Sequence, residues 1–260
     1  MSRKRTLLPD IYKHKKKCVR PAQSEENGDF NDNALMNGLP TDTEASLLYL
    51  KNLFPGDKFD DRLPPIIFKH QLYSIVKNRT TVDKHVGDLR SSGEIKVFKL
   101  GADANDLCVV FAHDYETHIL HVMKDLHVHN HIIEKFLRVV KNCNDVSLDK
   151  DTLMKDFRFK DEEITQLVKS SVLTVRDVGS WWLSIPNAGV FMKNFMRGRK
   201  ALLTMIRKCK YREILQQDLE QRKWPKLARL GILYHIHDVI GADLVESVQT
   251  TSGNLLRLKD

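Results

Sequence analysis

The stretch TTVDKHVGDLRSSGEIKVFKLGADANDLCVVFA, residues 80–112, switches from one hydrophobic period to another partway along. Up to Gly93 it reads as an apolar-periodic helix, capped by Thr81 or Asp83 and stopped by the glycine. EIKVFKL (94–100) and LCVVFA (107–112) then read as two β segments around the polar turn GADAND (101–106). Ahead of this pair, EASLLYLKNLF (44–54) supplies an opening helix.

The same order recurs twice. HIIEKFLRVVKNC (131–143) opens a second unit, KDEEITQLVKSS (160–171) follows, and LTVRD (173–177) with WWLSI (181–185) flank Val178 and Gly179. In a third unit ALLTMIRKCKYREILQQDL (201–219) opens, HDVIGADLVE (237–246) is the late helix, and ESVQT (246–250) with LLRLK (255–259) flank TSG (251–253). Helices followed by a hairpin, in units of roughly 70 to 80 residues, form the layout of a winged helix. The expected fold is therefore α+β, mainly helical, with three tandem winged helices over 43–126, 127–196 and 197–260. In such a unit the late helix can enter the major groove while the hairpin rests on the backbone. Winged helices also serve as protein docking modules, so the fold alone does not fix a function.

A chain of 260 residues with 42% hydrophobic content can bury such cores, and no apolar run approaches the roughly 18 residues of a membrane span. The opening MSRKRTLLPD lacks the apolar core of a secretory signal. Cys18, Cys108, Cys143 and Cys209 are scattered singly, which fits a reducing compartment and suggests neither a disulfide framework nor a zinc ribbon. The net charge of +8 favours an anionic partner.

Part of that charge lies in the first 20 residues. Arg3, Lys4 and Arg5 form one basic cluster and Lys13, Lys15, Lys16 and Lys17 another, the spacing of a bipartite nuclear import signal. PAQSEENGDFNDNALMNGLPTDTEA (21–45) follows with six acidic and no basic residues, too polar to bury a core. Residues 1–42 are expected to be disordered, and the protein to be nuclear.

The densest charge is KNFMRGRKALLTMIRKCKYR (193–212), with eight basic residues and no acidic one. At about 100° per residue, Lys193, Arg197, Lys200, Arg207 and Lys208 share one arc of a helix, while Phe191, Phe195, Leu202, Ile206 and Cys209 share the opposite arc. A break at Gly198 would separate the two halves. A solvated face ordinarily balances such charge with acids at i+3 or i+4, and none occurs before Glu213. The expected DNA-binding set is Lys193, Arg197, Lys200, Arg207, Lys208, Arg212 and Arg222, with Arg176 in the hairpin VRDVGSWW (175–182) offered to a phosphate. Trp181 and Trp182 alternate on a strand, one expected in the core.

Other residues invite chemistry less well. His118, His121, His127, His129 and His131 crowd HILHVMKDLHVHNH (118–131) without the frame of a zinc site, and are expected in a polar linker between the first two units. In YHIHD (234–238), Asp238 is expected to cap a helix and the histidines to pack. Catalysis, a metal and a cofactor are not expected.

FPGDKFDDRLPPIIFKHQLYSIVKNRTTVD (54–83), EITQLVKSSVLTVRDVGSWWLSIPNAG (163–189), IRKCKYREIL (206–215) and RLGILYHIHDVIGADLVESVQTTSGNLLRL (229–258) resemble the winged-helix nuclear repair family historically labelled serine/threonine-protein kinase 19. The resemblance covers about residues 45–260. It implies a nuclear protein that binds double-stranded DNA in transcription-coupled nucleotide excision repair, beside stalled RNA polymerase II, the Cockayne syndrome A protein and transcription factor II H. It also implies DNA contacts at Lys193, Arg207 and Arg222, and leaves open whether two copies pair on DNA. The older kinase label finds no support in the residues. Phosphoryl transfer needs a glycine-rich loop and a metal-binding DFG. GADAND holds one glycine, and KDFRF (155–159) puts Arg158 where the DFG glycine would stand. The alternative is an interaction-only winged-helix adaptor whose basic face meets an acidic protein.

Overall fold

The computed structural model describes residues 41–101, 107–226 and 228–259. The expected tail, its import clusters and most of the GADAND turn lie outside the described residues. Helix α1 (Asp42–Asn52) begins at a capping box: Thr41 Oγ1 accepts from the Glu44 amide at 3.2 Å, and Glu44 Oε2 accepts from the Thr41 amide at 2.9 Å. Strand β1 (Ile67–Phe68) and the single turn α2 (Lys69–Leu72) follow. Helix α3 (Arg79–Ser92) is capped by Asn78, whose Oδ1 accepts from the Thr81 amide at 3.2 Å, so the cap lies before the expected Thr81 or Asp83. It stops as expected at Gly93, where φ is +85°. Strands β2 (Ile95–Lys99) and β3 (Leu107–Phe111) form the hairpin, and β1 pairs antiparallel on the outer side of β3.

This order, helix, short strand, helical turn, helix and hairpin, occurs three times. After α4 (Ala112–Asp125), α5 (Asn130–Asn142) leads into β4 (Ser147–Asp149), a π-helical turn over Thr152–Asp156, α6 (Asp161–Lys169), β5 (Leu173–Asp177) and β6 (Ser180–Leu183). Next come α7 (Ala188–Arg207), β7 (Glu213–Leu215), α8 (Gln216–Glu220), α9 (Ile232–Gly241), β8 (Val245–Thr250) and β9 (Gly253–Leu258). Each set of three strands forms an antiparallel sheet with the last strand in the middle: β1-β3-β2, β4-β6-β5 and β7-β9-β8. The protein mixes helix and sheet as expected, and among the described residues there is no bilobal kinase arrangement.

The repeats share a core. The largest buried cluster runs from Phe54 and Phe68 through Phe136 and Leu167 to Phe191, Phe195 and Tyr234, while two smaller clusters serve the first and third repeats alone. Residues 40–260 accordingly form one compact unit. At its centre the ring centroids of Phe68 and Phe195 stand 4.4 Å apart, with Phe191 5.8 Å from each. Burying each such ring removes apolar surface from water at about 2–3 kcal/mol.

Three sequence expectations change here. Helix α7 runs unbroken through Gly198, so the division expected between 196 and 197 falls inside a helix. Of the stretch 118–131 expected as a polar linker, residues 118–125 belong to α4 and 130–131 open α5, because Tyr115, His118, Ile119 and Met123 bury one face of a helix. His118 Nε2 donates to the Pro186 carbonyl at 3.3 Å, and His131 meets Glu163 at 3.1 Å. The late helix of the third repeat starts at Ile232, five residues before the expected start, and places Asp238 in its interior.

Candidate nucleic-acid interface

Helix α7 is positioned by its apolar face. Phe191, Asn194, Phe195, Gly198, Leu202 and Ile206 are buried, and Gly198 is the point of closest approach to α9: a Cβ there would lie 1.9 Å from His235 Nε2. Helix α9 makes a second close approach on its other side, where a Cβ on Gly241 would lie 1.9 Å from the His70 carbonyl oxygen in α2. Two glycines thus let α9 sit tight between α2 and α7.

Asp238 lies fully buried at this junction. Arg199 of α7 grips it side-on, with Nε 2.8 Å from Oδ2 and Nη2 2.5 Å from Oδ1, and His70 Nε2 donates to Oδ1 at 2.7 Å. Burial alone would raise the carboxyl pKa, but Arg199, with His235 and His70, outweighs it and holds the group well below the usual carboxylate range. Asp238 is therefore no helix cap; it is the anion of a buried ion pair. Arg199, one of the eight cations of residues 193–212, is neutralised inside the fold. Gln71 Nε2 to the Tyr234 carbonyl at 3.0 Å and Tyr234 Oη to the Ile66 carbonyl at 2.7 Å tie the same seam.

The opposite face of α7 is cationic. Lys193, Arg197, Lys200 and Arg207 are exposed and follow one row of the helix about 21 Å long. Among the described residues none of them has an ion pair or a side-chain hydrogen bond. Neighbouring like charges on a helix cost about 0.2–0.5 kcal/mol per pair, and α7 has no acidic residue in its first turn to offset Lys193. This helix thus retains charge that disfavours the free protein.

Lys208, at the end of α7, and Arg212, in the turn after it, are both exposed, and Arg222 stands exposed in the turn after α8. Arg176 is placed differently. Its guanidinium lies 4.6 Å from the Trp182 ring centroid, Nη1 donates to Ser147 Oγ at 3.0 Å, and Nε is 3.6 Å from Asp177. Lys99 approaches the same ring at 5.6 Å, so Trp182 has two cations near its ring while Trp181 packs on the core. Thr174, two residues before Arg176 on β5, lines a groove shared with Asn187 and Lys193, which sets the second hairpin beside the start of α7.

The late helices do not share this character. Helix α9 has no lysine or arginine and no exposed residue. Helix α6 opens with Asp161, Glu162 and Glu163. In α3, Arg79 is taken by Asp243 at 2.7 Å and Arg90 by the Asn144 carbonyl at 2.7 Å. The cationic surface sits on α7, the opening helix of the third repeat, and not on a late helix. Sequence reasoning also missed the Arg199–Asp238 pair, for which a single Asp in the otherwise apolar stretch ILYHIHDVIG (232–241) was the available signal. Among the described residues no group of three His, Cys, Asp or Glu side chains could hold a metal ion, and no helix is long and apolar enough to cross a membrane.

Comparison with known proteins agrees with this architecture. A human protein named Winged helix repair factor 1 is 42% identical over 256 residues, 98% of this chain and 97% of its own length. The Xenopus laevis protein of that name is 41% identical, with 100% of both chains covered. A more distant relative in Schizosaccharomyces pombe, named Serine/threonine-protein kinase mug51, is 24% identical over 75% of this chain and 67% of its own. The family model described as inactive serine-threonine protein kinase 19 matches residues 52–258. The word inactive and the repair-factor names both favour a role other than that of a kinase. With most of its length matched by that model and two relatives above 40% identity over nearly all of it, the chain belongs to the inactive serine-threonine protein kinase 19 family.

Proposed function

We propose that this protein is a nuclear, non-catalytic scaffold of three winged helices that binds double-stranded DNA in transcription-coupled nucleotide excision repair. The observation that carries the proposal is the row Lys193, Arg197, Lys200 and Arg207, exposed and without ionic partners among the described residues, on a helix whose other face is locked into the core. A rigid row of cations presents charge at a spacing suited to phosphates. Such contacts supply affinity and register rather than base choice. Lys208, Arg212, Arg222 and the Trp182-backed Arg176 extend the surface.

RNA polymerase II, the Cockayne syndrome A protein and transcription factor II H are proposed partners through family resemblance. Nuclear entry is assigned to Arg3, Lys4, Arg5, Lys13, Lys15, Lys16 and Lys17 in the tail. The absence of a kinase signature supports a purified chain without phosphotransferase activity.

The test is titration of full-length protein with duplex DNA at several salt concentrations. The logarithm of affinity should fall with that of salt at about −0.9 per phosphate contact. Lys193→Glu, Arg207→Glu and Arg222→Glu should each weaken binding to all sequences alike and flatten the slope by about one. An adaptor role has its own support in Val175 and Val178, exposed at the second hairpin, with Val178 at 107% of reference exposure. If all three reversed proteins stay folded and bind duplex as the parent does, the basic face serves an acidic protein and the adaptor role replaces DNA binding.

A further inference from the structure

The turn between α7 and β7 carries an aromatic side chain that the fold does not use. Lys210–Arg212 is a tight turn, and within it Tyr211 adopts φ +59° and ψ +11°. Arg212 follows at φ +57°. For a side chain with a Cβ, left-handed backbone is uncommon, and for a bulky ring it stores strain of about 1 kcal/mol or more. Glycine or asparagine would occupy such a position more cheaply. Tyr211 is also 77% exposed, the most exposed aromatic ring among the described residues. Its hydroxyl has no hydrogen-bond partner among them, and its ring contact is the Lys210 ammonium 5.0 Å from the centroid.

The surroundings define what such a ring could take. Arg207 and Lys208 end α7 just before it, and Lys210 and Arg212 flank it, so the ring stands at the end of the cationic row. A flat π-surface among phosphate-binding cations suits a nucleobase, because stacking needs only the base face and tolerates any sequence. In continuous duplex those faces are covered by neighbouring base pairs. A ring at the end of a backbone-tracking helix can reach one only where pairing is interrupted.

We propose that Tyr211 is a stacking post for an unpaired nucleobase, and that the protein binds duplex interrupted by unpaired bases more tightly than continuous duplex. This rests on the DNA-binding function proposed above and adds the structure of the nucleic acid preferred. The row on α7 holds the paired arm by its phosphates. Tyr211 caps the arm where the first unpaired base turns out of the stack.

The experiment uses the full chain, a fluorescent continuous duplex, and a duplex of equal length and sequence with a short central mismatch bubble, each at two salt concentrations. The parent is expected to bind the bubble about tenfold more tightly, the size of one stacked base. Tyr211→Ala should abolish that preference with the salt slope unchanged, since no charge is removed, and Tyr211→Phe should keep it. Tyr211→Gly, which relieves the left-handed strain, should melt at or above the parent temperature, separating loss of stacking from loss of fold. A parent that binds the two probes equally, or binds neither, overturns the proposal. So does a Tyr211→Ala protein that keeps the preference, in which case the ring is a docking point for another protein. If Lys193→Glu and Arg207→Glu weaken duplex binding while the Tyr211 variants change nothing, the stacking post alone fails. If those reversals also leave binding intact, the DNA-binding function fails with it.

Discussion

Two glycines in helices show how position decides the sign of one substitution. Gly87 in α3 is exposed, and a methyl added there would meet nothing within 4 Å, so Gly87→Ala should stabilise by about 0.5–1 kcal/mol through helix propensity. Gly198→Ala makes the same change in propensity but drives a methyl into the buried His235 ring, and should lower the denaturant midpoint. Asp238 is equally position-bound. Asp238→Ala leaves Arg199 part-buried without its anion and should cost about 3 kcal/mol by chemical denaturation. The double change Asp238→Leu with Arg199→Met should recover much of that loss, because it removes both the charge and its unmet partner.

At the scale of elements, charge on α7 can be set against stability. Thr204 lies in the cationic row between Lys200 and Lys208, with its hydroxyl bonded to the Lys200 carbonyl at 2.7 Å. Thr204→Glu would place an acid at i+4 from Lys200 and i−4 from Lys208, raising the melting temperature slightly while weakening duplex binding; a merely solvated face would gain stability with no change in binding. Elements with a strong period were legible in the sequence: α5 lies within one residue of its expected span, and all three hairpins were found. The unread elements lacked a period. Strands β1, β4 and β7 have two or three residues each and exist only because the middle strand of each sheet has an open edge. Helix α4 hid behind its histidines. Helix α9 was displaced because Asp238 reads as a helix cap, whereas burial makes both His235 and Asp238 interior. The cationic face was legible, since four residues at helical spacing do not depend on tertiary context. The neutralisation of Arg199 was not, because its partner lies 39 residues away.

For the whole molecule, the buried titratable groups set one direction of pH dependence. Burial lowers the pKa of His118 and of His237, so each favours the fold fully above the unfolded value of about 6.5 and progressively less below it. Asp238, held low by Arg199 and its neighbours against its own burial, keeps its contribution above about pH 4 and loses it only in stronger acid. The melting temperature should therefore fall on going from pH 7.5 to 5, and fall less in the double variant His118→Gln, His237→Gln. Because one cluster threads all three repeats, thermal unfolding of residues 40–260 should be a single transition by circular dichroism and by tryptophan fluorescence.

That continuous core also governs the fate of incomplete chains. Tyr234, in the third repeat, closes over Phe54 and Phe195, which arise earlier in synthesis. A nascent chain thus carries open aromatic surface until its third repeat leaves the ribosome, and a premature stop codon ahead of α9 would leave that surface uncovered for good. Such alleles should behave as complete losses, their products held by chaperones and cleared by proteases rather than surviving as smaller working modules.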